Sequence, residues 1–158
     1  MEGPTALIGT GFEISDSAEK LTMRNMCKTL GYFHHTQYKL IGGDFLKPDT
    51  EFERLNRETY HIIVSNPPYI DPAEKDTLDI QVTKFEPHIS LFSENQGYFH
   101  AMRYLRKCID LLVDGGFMIL ELEPEKIDNF ETKAQELYDC RDGGSYKFSS
   151  DWEVQEKK

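Results

Sequence analysis

Tyr60-His61-Ile62-Ile63-Val64-Ser65-Asn66-Pro67-Pro68-Tyr69 is the stretch on which the reading of this chain turns. Its first six residues are a short apolar run that predicts a buried β-strand, and the tetrapeptide ends it. Two successive prolines hold φ at about −65° and remove two backbone donors, so no ladder continues through them. The residue before a proline is pushed out of the helical region, which keeps Asn66 extended at the strand tip. Such a tip carries a side-chain carboxamide, an unladdered carbonyl at Pro67 and an aromatic ring at Tyr69. Two fixed acceptors can grip a planar –NH2 group by both its protons, and methyl transfer to nitrogen is the reaction that grip suits. The plainer reading, in which Pro-Pro ends a strand and Asn66 caps a turn, is set against the sequence on both sides.

Working outward, residues 5–14 read as a strand weakened by Gly9 and Gly11. Asp16 and Glu19 have capping-box spacing, and Met23, Met26, Cys27 and Leu30 follow at helical intervals, with Gly31 as a stop. A second strand, Tyr38–Ile41, runs into Gly42-Gly43-Asp44, and 47–58 reads as a short surface helix. Residues 71–96 read as an acidic loop containing Phe85-Glu86-Pro87-His88. A helix is expected from Tyr98 to Leu112, with Met102, Leu105, Ile109 and Leu112 on one face. Asp114-Gly115-Gly116 predicts a turn into the strand Phe117–Leu120. A last helix after Pro124 carries Ile127, Phe130, Ala134 and Leu137 on its stripe.

This alternation predicts an α/β fold built on a mostly parallel sheet. In such sheets ligands bind beyond the C-terminal ends of the strands. Glu13, Asp44 and Asn66 all stand at such ends. Glu13 could accept from ribose hydroxyls and Asp44 from an adenine amino group, leaving Asn66 for the substrate nitrogen. Helix capping and turn formation explain Glu13 and Asp44 equally well when each is taken singly.

At 158 residues the chain predicts one domain, residues 1–158. Its net charge of −10 argues against a surface that coats nucleic acid, which needs clustered Lys and Arg. No apolar run reaches the length of a membrane span, and no signal-peptide pattern opens the chain. Cys27 and Cys108 fall on helical apolar stripes and predict reduced core residues, hence a reducing compartment. His34-His35 reads as a solvated loop pair, and no Cys/His cluster has zinc spacing.

Val64-Ser65-Asn66-Pro67-Pro68-Tyr69-Ile70, followed by Phe85-Glu86-Pro87-His88-Ile89-Ser90-Leu91-Phe92, resembles the HemK/PrmC protein-glutamine N5-methyltransferases. Phe12-Glu13-Ile14-Ser15, Gly43-Asp44, Gly115-Gly116-Phe117 and Leu120-Glu121 extend the likeness from about Phe12 to Glu123. The resemblance implies a Rossmann-like, S-adenosylmethionine-dependent enzyme that methylates the glutamine of a Gly-Gly-Gln motif in a peptide-chain release factor. It implies that Asn66 and Pro67 hold the substrate carboxamide, that Pro68 and Tyr69 wall the pocket, and that Glu13, Asp44 and Asn66 meet the cofactor. Asn66, Pro67 and Tyr69 are the implied catalytic residues. The implied compartment is cytoplasmic or mitochondrial.

The family carries a first strand and a glycine-rich loop ahead of its ribose acid, whereas eleven residues precede Phe12 here. An N-terminally truncated domain with a half-built cofactor site is therefore expected, with exposed strand edges that a partner chain could complete. In the alternative, Leu7-Ile8-Gly9-Thr10-Gly11 supplies substitute backbone contacts. Two other functions stay open: a catalytically inactive homologue acting as a binding protein, and a nucleic-acid N6-adenine methyltransferase sharing the same tetrapeptide.

Overall fold

Gly9–Glu13 forms strand β1, and the chain turns at once into helix α1, Asp16–Leu30, before returning as strand β2, Tyr38–Gly42. The computed structural model describes residues 8–30, 38–47 and 60–139. The chain divides into two compact units, Met1–Arg57 and Glu58–Lys158. In the first, β1 and β2 pair in parallel, with Gly11 opposite Leu40 and Glu13 opposite Gly42. Helix α1 makes the crossover between them and lies against both strands. Ser15 begins this helix: its hydroxyl accepts from the Ala18 N–H at 3.4 Å. The expected Asp16/Glu19 box therefore gives way to a cap from Ser15, with Asp16 the first helical residue.

The second unit opens with β3, Tyr60–Ser65, paired in parallel with β4, Leu112–Leu120. Ile62 lies opposite Phe117 and Val64 opposite Ile119. Between the two strands run a 3-10 turn, Pro72–Thr77, and helices α2, Ile80–Phe85, α3, His88–Leu91, and α4, Phe99–Ile109. A further 3-10 turn, Pro124–Lys126, leads into α5, Ile127–Asp139. The core is the meeting of two helical stripes. Ala101, Leu105 and Ile109 of α4 pack with Ile127, Phe130 and Ala134 of α5, and Met118 and Leu120 of β4 close against them. Each large side chain buried there stabilises the unit by about 1.5–3 kcal/mol.

Several expectations are corrected. The stretch 71–96 is largely helical: Asp71 and Asp79 each accept from a backbone N–H two residues on, and so start the 3-10 turn and α2. The helix expected to reach Leu112 stops at Ile109, because Leu112 already pairs with Tyr60. Asp114-Gly115-Gly116 lies inside β4 as a register irregularity, with Gly115 at φ 77°, where glycine alone is unstrained. Strand β3 is covered on one face only. Ile62 (51% exposed), Val64 (71%), Phe117 (53%) and Ile119 (52%) form an uncovered apolar face on the other. Cys108 is buried as expected, but Cys27 is exposed.

Some expectations lie outside the described residues. These are residues 5–7 of the first strand, Gly31, His34-His35, most of the surface helix 47–58 and everything from Cys140 onward. Among the described residues no helix is long and apolar enough to cross a membrane.

Candidate active site

Strand tips place the predicted residues, and the two units place them separately. In the first unit the parallel pairing sets Glu13 and the end of β2 side by side: the Gly43 N–H donates to the Glu13 carbonyl at 2.8 Å. Gly43 stands at φ 133°, a conformation that L side chains rarely adopt, and turns the chain into Asp44. The Glu13 carboxylate accepts from the Ser15 N–H at 2.8 Å, and the Asp44 carboxylate from the Leu46 N–H at 2.9 Å. One oxygen of each is thus engaged in local turns. The second oxygen of each has no hydrogen bond among the described residues. Phe45 packs edge-on against Phe12, with centroids 4.9 Å apart, beside the two acids.

Gly9, Thr10 and Gly11 are strand residues in register with Tyr38, Lys39 and Leu40. They form no loop of the kind that would substitute for a glycine-rich turn.

Asn66–Tyr69 belongs to the second unit. The turn begins where the Ser65 carbonyl accepts from the Glu121 N–H at 3.0 Å, tying it to the end of β4. It ends at Ile70, whose N–H donates to Leu91 at 3.0 Å and whose carbonyl accepts from Ser93 at 2.8 Å, in a bridge to Phe92. Ser93 is the buried latch of that bridge; its hydroxyl lies 2.9 Å from His100 Nδ1. Between these anchors Asn66 is exposed, Pro67 is buried, and Pro68 and Tyr69 are half-buried. The Asn66 carboxamide and the Pro67 carbonyl have no hydrogen-bond partner among the described residues. Asn66 is exposed, so its carboxamide stands open to solvent on a turn whose two ends are fixed.

Tyr69 packs on the α4–α5 core. Burial, reinforced by the charges of Glu121 and Glu123, pushes its phenol above the ordinary tyrosine range, so it stays protonated at neutral pH.

Two residues that sequence reasoning missed complete the turn. Lys126 Nζ donates to the Tyr69 carbonyl at 2.9 Å, to Glu74 at 3.3 Å and to Glu123 at 2.7 Å. Burial alone would lower the Lys126 pKa, but the hydrogen bonds and charges of Glu123 and Glu74 outweigh it and hold the ammonium above its ordinary range. Gly97, at φ 84°, backs onto the same carbonyl, and a Cβ there would overlap the oxygen. The available signal was that Lys126 is the single basic residue between Lys107 and Lys133, inside an acidic run. An open groove of about 570 Å³ flanks this region, with Asn95, Gln96, Arg103 and Lys133 on its walls; no predicted site residue lines it.

Parallel strands with helical crossovers and a strand-end Asn-Pro-Pro-Tyr define a Rossmann-like methyltransferase class. Comparison with known proteins narrows the class. A release factor glutamine methyltransferase of Staphylococcus aureus is 40% identical over 79 residues, which cover 49% of this chain and 27% of that protein. One from Leptospira interrogans is 30% identical over 112 residues, 71% of this chain and 36% of its own length. A bifunctional methyltransferase of Rickettsia typhi is 39% identical over 71 residues, 45% of this chain and 14% of its own. The chain thus spans 14% to 36% of the lengths of these three relatives. No family model matches it. Over the matched stretches, the chain is similar to methyltransferases of the HemK/PrmC type.

Proposed function

We propose that the chain takes part in S-adenosylmethionine-dependent N5-methylation of the glutamine in the Gly-Gly-Gln motif of a peptide-chain release factor. The observation that carries this reading is the exposed Asn66 carboxamide beside an unclaimed Pro67 carbonyl, on a turn anchored at both ends. The glutamine methyltransferase relatives support the choice of substrate.

The residues present fit the cofactor by their chemistry. Glu13 and Asp44 each keep one carboxylate oxygen without a partner among the described residues. They are acceptors suited to ribose hydroxyls and to an adenine amino group respectively. When bound, S-adenosylmethionine supplies a methyl group on a sulfonium, an electrophile toward nitrogen. The chain's own residues supply orientation and charge placement. An amide nitrogen is a poor nucleophile because its lone pair is delocalised into the carbonyl. Asn66 and the Pro67 carbonyl accept both –NH2 protons, which fixes the nitrogen and raises its electron density. Pro68 and a neutral Tyr69 wall the pocket and limit water, which strengthens those hydrogen bonds. A release-factor substrate puts the reaction where translation terminates, in the cytoplasm or the mitochondrial matrix.

The test is transfer of labelled methyl from S-adenosylmethionine to a release factor, with calorimetry of cofactor binding on the same folded sample. Label is expected in the parent release factor and absent when Gly-Gly-Gln is changed to Gly-Gly-Ala. Equal labelling of both, or labelling of DNA or RNA instead, overturns the substrate assignment. A folded chain that neither binds the cofactor nor transfers label overturns the enzyme reading.

A further inference from the structure

We infer that Lys126 is a positioning residue that aims the Asn66 carboxamide by fixing the Tyr69 carbonyl. The inference rests on the substrate-clamp reading of Asn66 and adds to it the element that holds the clamp still.

The geometry is a three-way anchor. An ammonium has three protons, and Lys126 directs them to three acceptors on separate segments: the Tyr69 carbonyl, Glu74 in the first 3-10 turn and Glu123 just before the second. Its side chain is only 12% exposed, so these contacts are held away from most solvent competition. Its own backbone is held too, since the Tyr98 hydroxyl donates to the Lys126 carbonyl at 3.1 Å. Gly97 presses on the Tyr69 carbonyl as well, and no larger residue fits there.

The consequence travels along a short, stiff path. The Ser65 carbonyl is fixed by Glu121 upstream and the Tyr69 carbonyl by Lys126 downstream. Three residues lie between, two of them prolines with φ already set. Little freedom is left to the Asn66–Pro68 segment. Without the Lys126 hydrogen bond the Tyr69 carbonyl can swing, and the nearest remaining downstream anchor is the Ile70 bridge. Arginine cannot replace the lysine, because a planar fork does not reach three acceptors disposed around a point.

The test uses the full chain and Lys126→Met. Side-chain and backbone ¹⁵N relaxation of Asn66 reads the aim directly, without any turnover. Order at Asn66 is expected to fall while the α4–α5 core is unchanged. In methyl-transfer assays kcat is expected to fall about 10–100-fold, the size of a misplacement of roughly 1 Å, with the cofactor KM within about twofold. Combined with Asn66→Ala, Lys126→Met is expected to add no further loss, because both act through the same carboxamide. If Lys126→Met fails to fold, Glu74→Gln with Glu123→Gln loosens the ammonium instead, and a smaller loss of Asn66 order is expected. Unchanged order at Asn66 in the folded variant overturns the inference, whatever the activity. Additive losses in the double variant overturn it too. A parent that shows ordered Asn66 but no methyl transfer overturns the functional reading alone, and the relaxation result still decides the role of Lys126.

Discussion

The strand tips of the first unit carry carboxylates already engaged by local backbone, whereas the tip of β3 in the second carries a carboxamide with no partner among the described residues. Glu13 and Asp44 hold Ser15 and Leu46, so part of their role is to shape the turns they sit in. Asn66 shapes nothing of the kind; two prolines and two anchored carbonyls do that work around it. The cores differ as well. The second unit buries two helical stripes against each other, while in the first, of the described hydrophobic residues, only Ile41 falls among the buried core. Replacing Asn66 should leave the fold's own hydrogen bonds intact, whereas replacing Glu13 or Asp44 removes one from the turn it shapes.

Substitutions sharpen this contrast in order of size. Phe130→Ala empties the α4–α5 core and is expected to cost about 3–5 kcal/mol in urea unfolding. Met26→Ala, on the half-buried face of α1, should cost less than about 1.5 kcal/mol on the same assay. Equal costs would erase the difference between the cores. Asn66→Ala should lower methyl transfer by about 10²–10³-fold, by analogy with loss of one preorganised hydrogen-bonding group, while leaving the unfolding midpoint in place. A drop in stability would show that Asn66 is a turn residue after all.

Asp44→Ala should lose about 1 kcal/mol of stability with its turn, and Asp44→Asn, which keeps an acceptor for Leu46, should lose little of it. A further effect is one of pH. Burial pushes the Cys108 thiol up to about 12, so the folded chain keeps a proton that the unfolded chain releases near pH 9. That contribution is complete below pH 9 and declines as pH rises toward 12. Tyr69 and Lys126, both shifted upward, steepen the decline in its upper part. Unfolding followed from pH 8 to 11 should show a shallower slope for Cys108→Ala than for the parent.

Much of the fold was legible in the sequence. The parallel alternation followed from apolar periodicity, and the end of β3 at Ser65 from the two prolines just beyond it. Tertiary pairing explains most of what was not. Leu112 fits the helical stripe of α4 but is claimed by Tyr60 across the sheet, and Cys27 fits the stripe of α1 yet faces outward. The acidic stretch after Tyr69 hid its short helices because Asp71 and Asp79 act as caps, a role that composition alone presents as loop. Lys126 was marked in the sequence only as the lone basic residue between Lys107 and Lys133. Only Glu123 of its three acceptors is near in sequence; the Tyr69 carbonyl and Glu74 are brought to it by the fold.

The bridge between Ile70 and Phe92 carries a consequence for the order of assembly. Strands β3 and β4 are parallel and far apart along the chain, so their pairing must close a long loop before it gains any contact. With Ile70 already joined to Leu91 and Ser93, most of the intervening acidic stretch is taken out of that loop. Folding should therefore be faster with the latch than without it. Ser93→Pro, which deletes the N–H donated to the Ile70 carbonyl, would slow refolding more than it speeds unfolding, and the turn after β3 would be the place where this sheet begins.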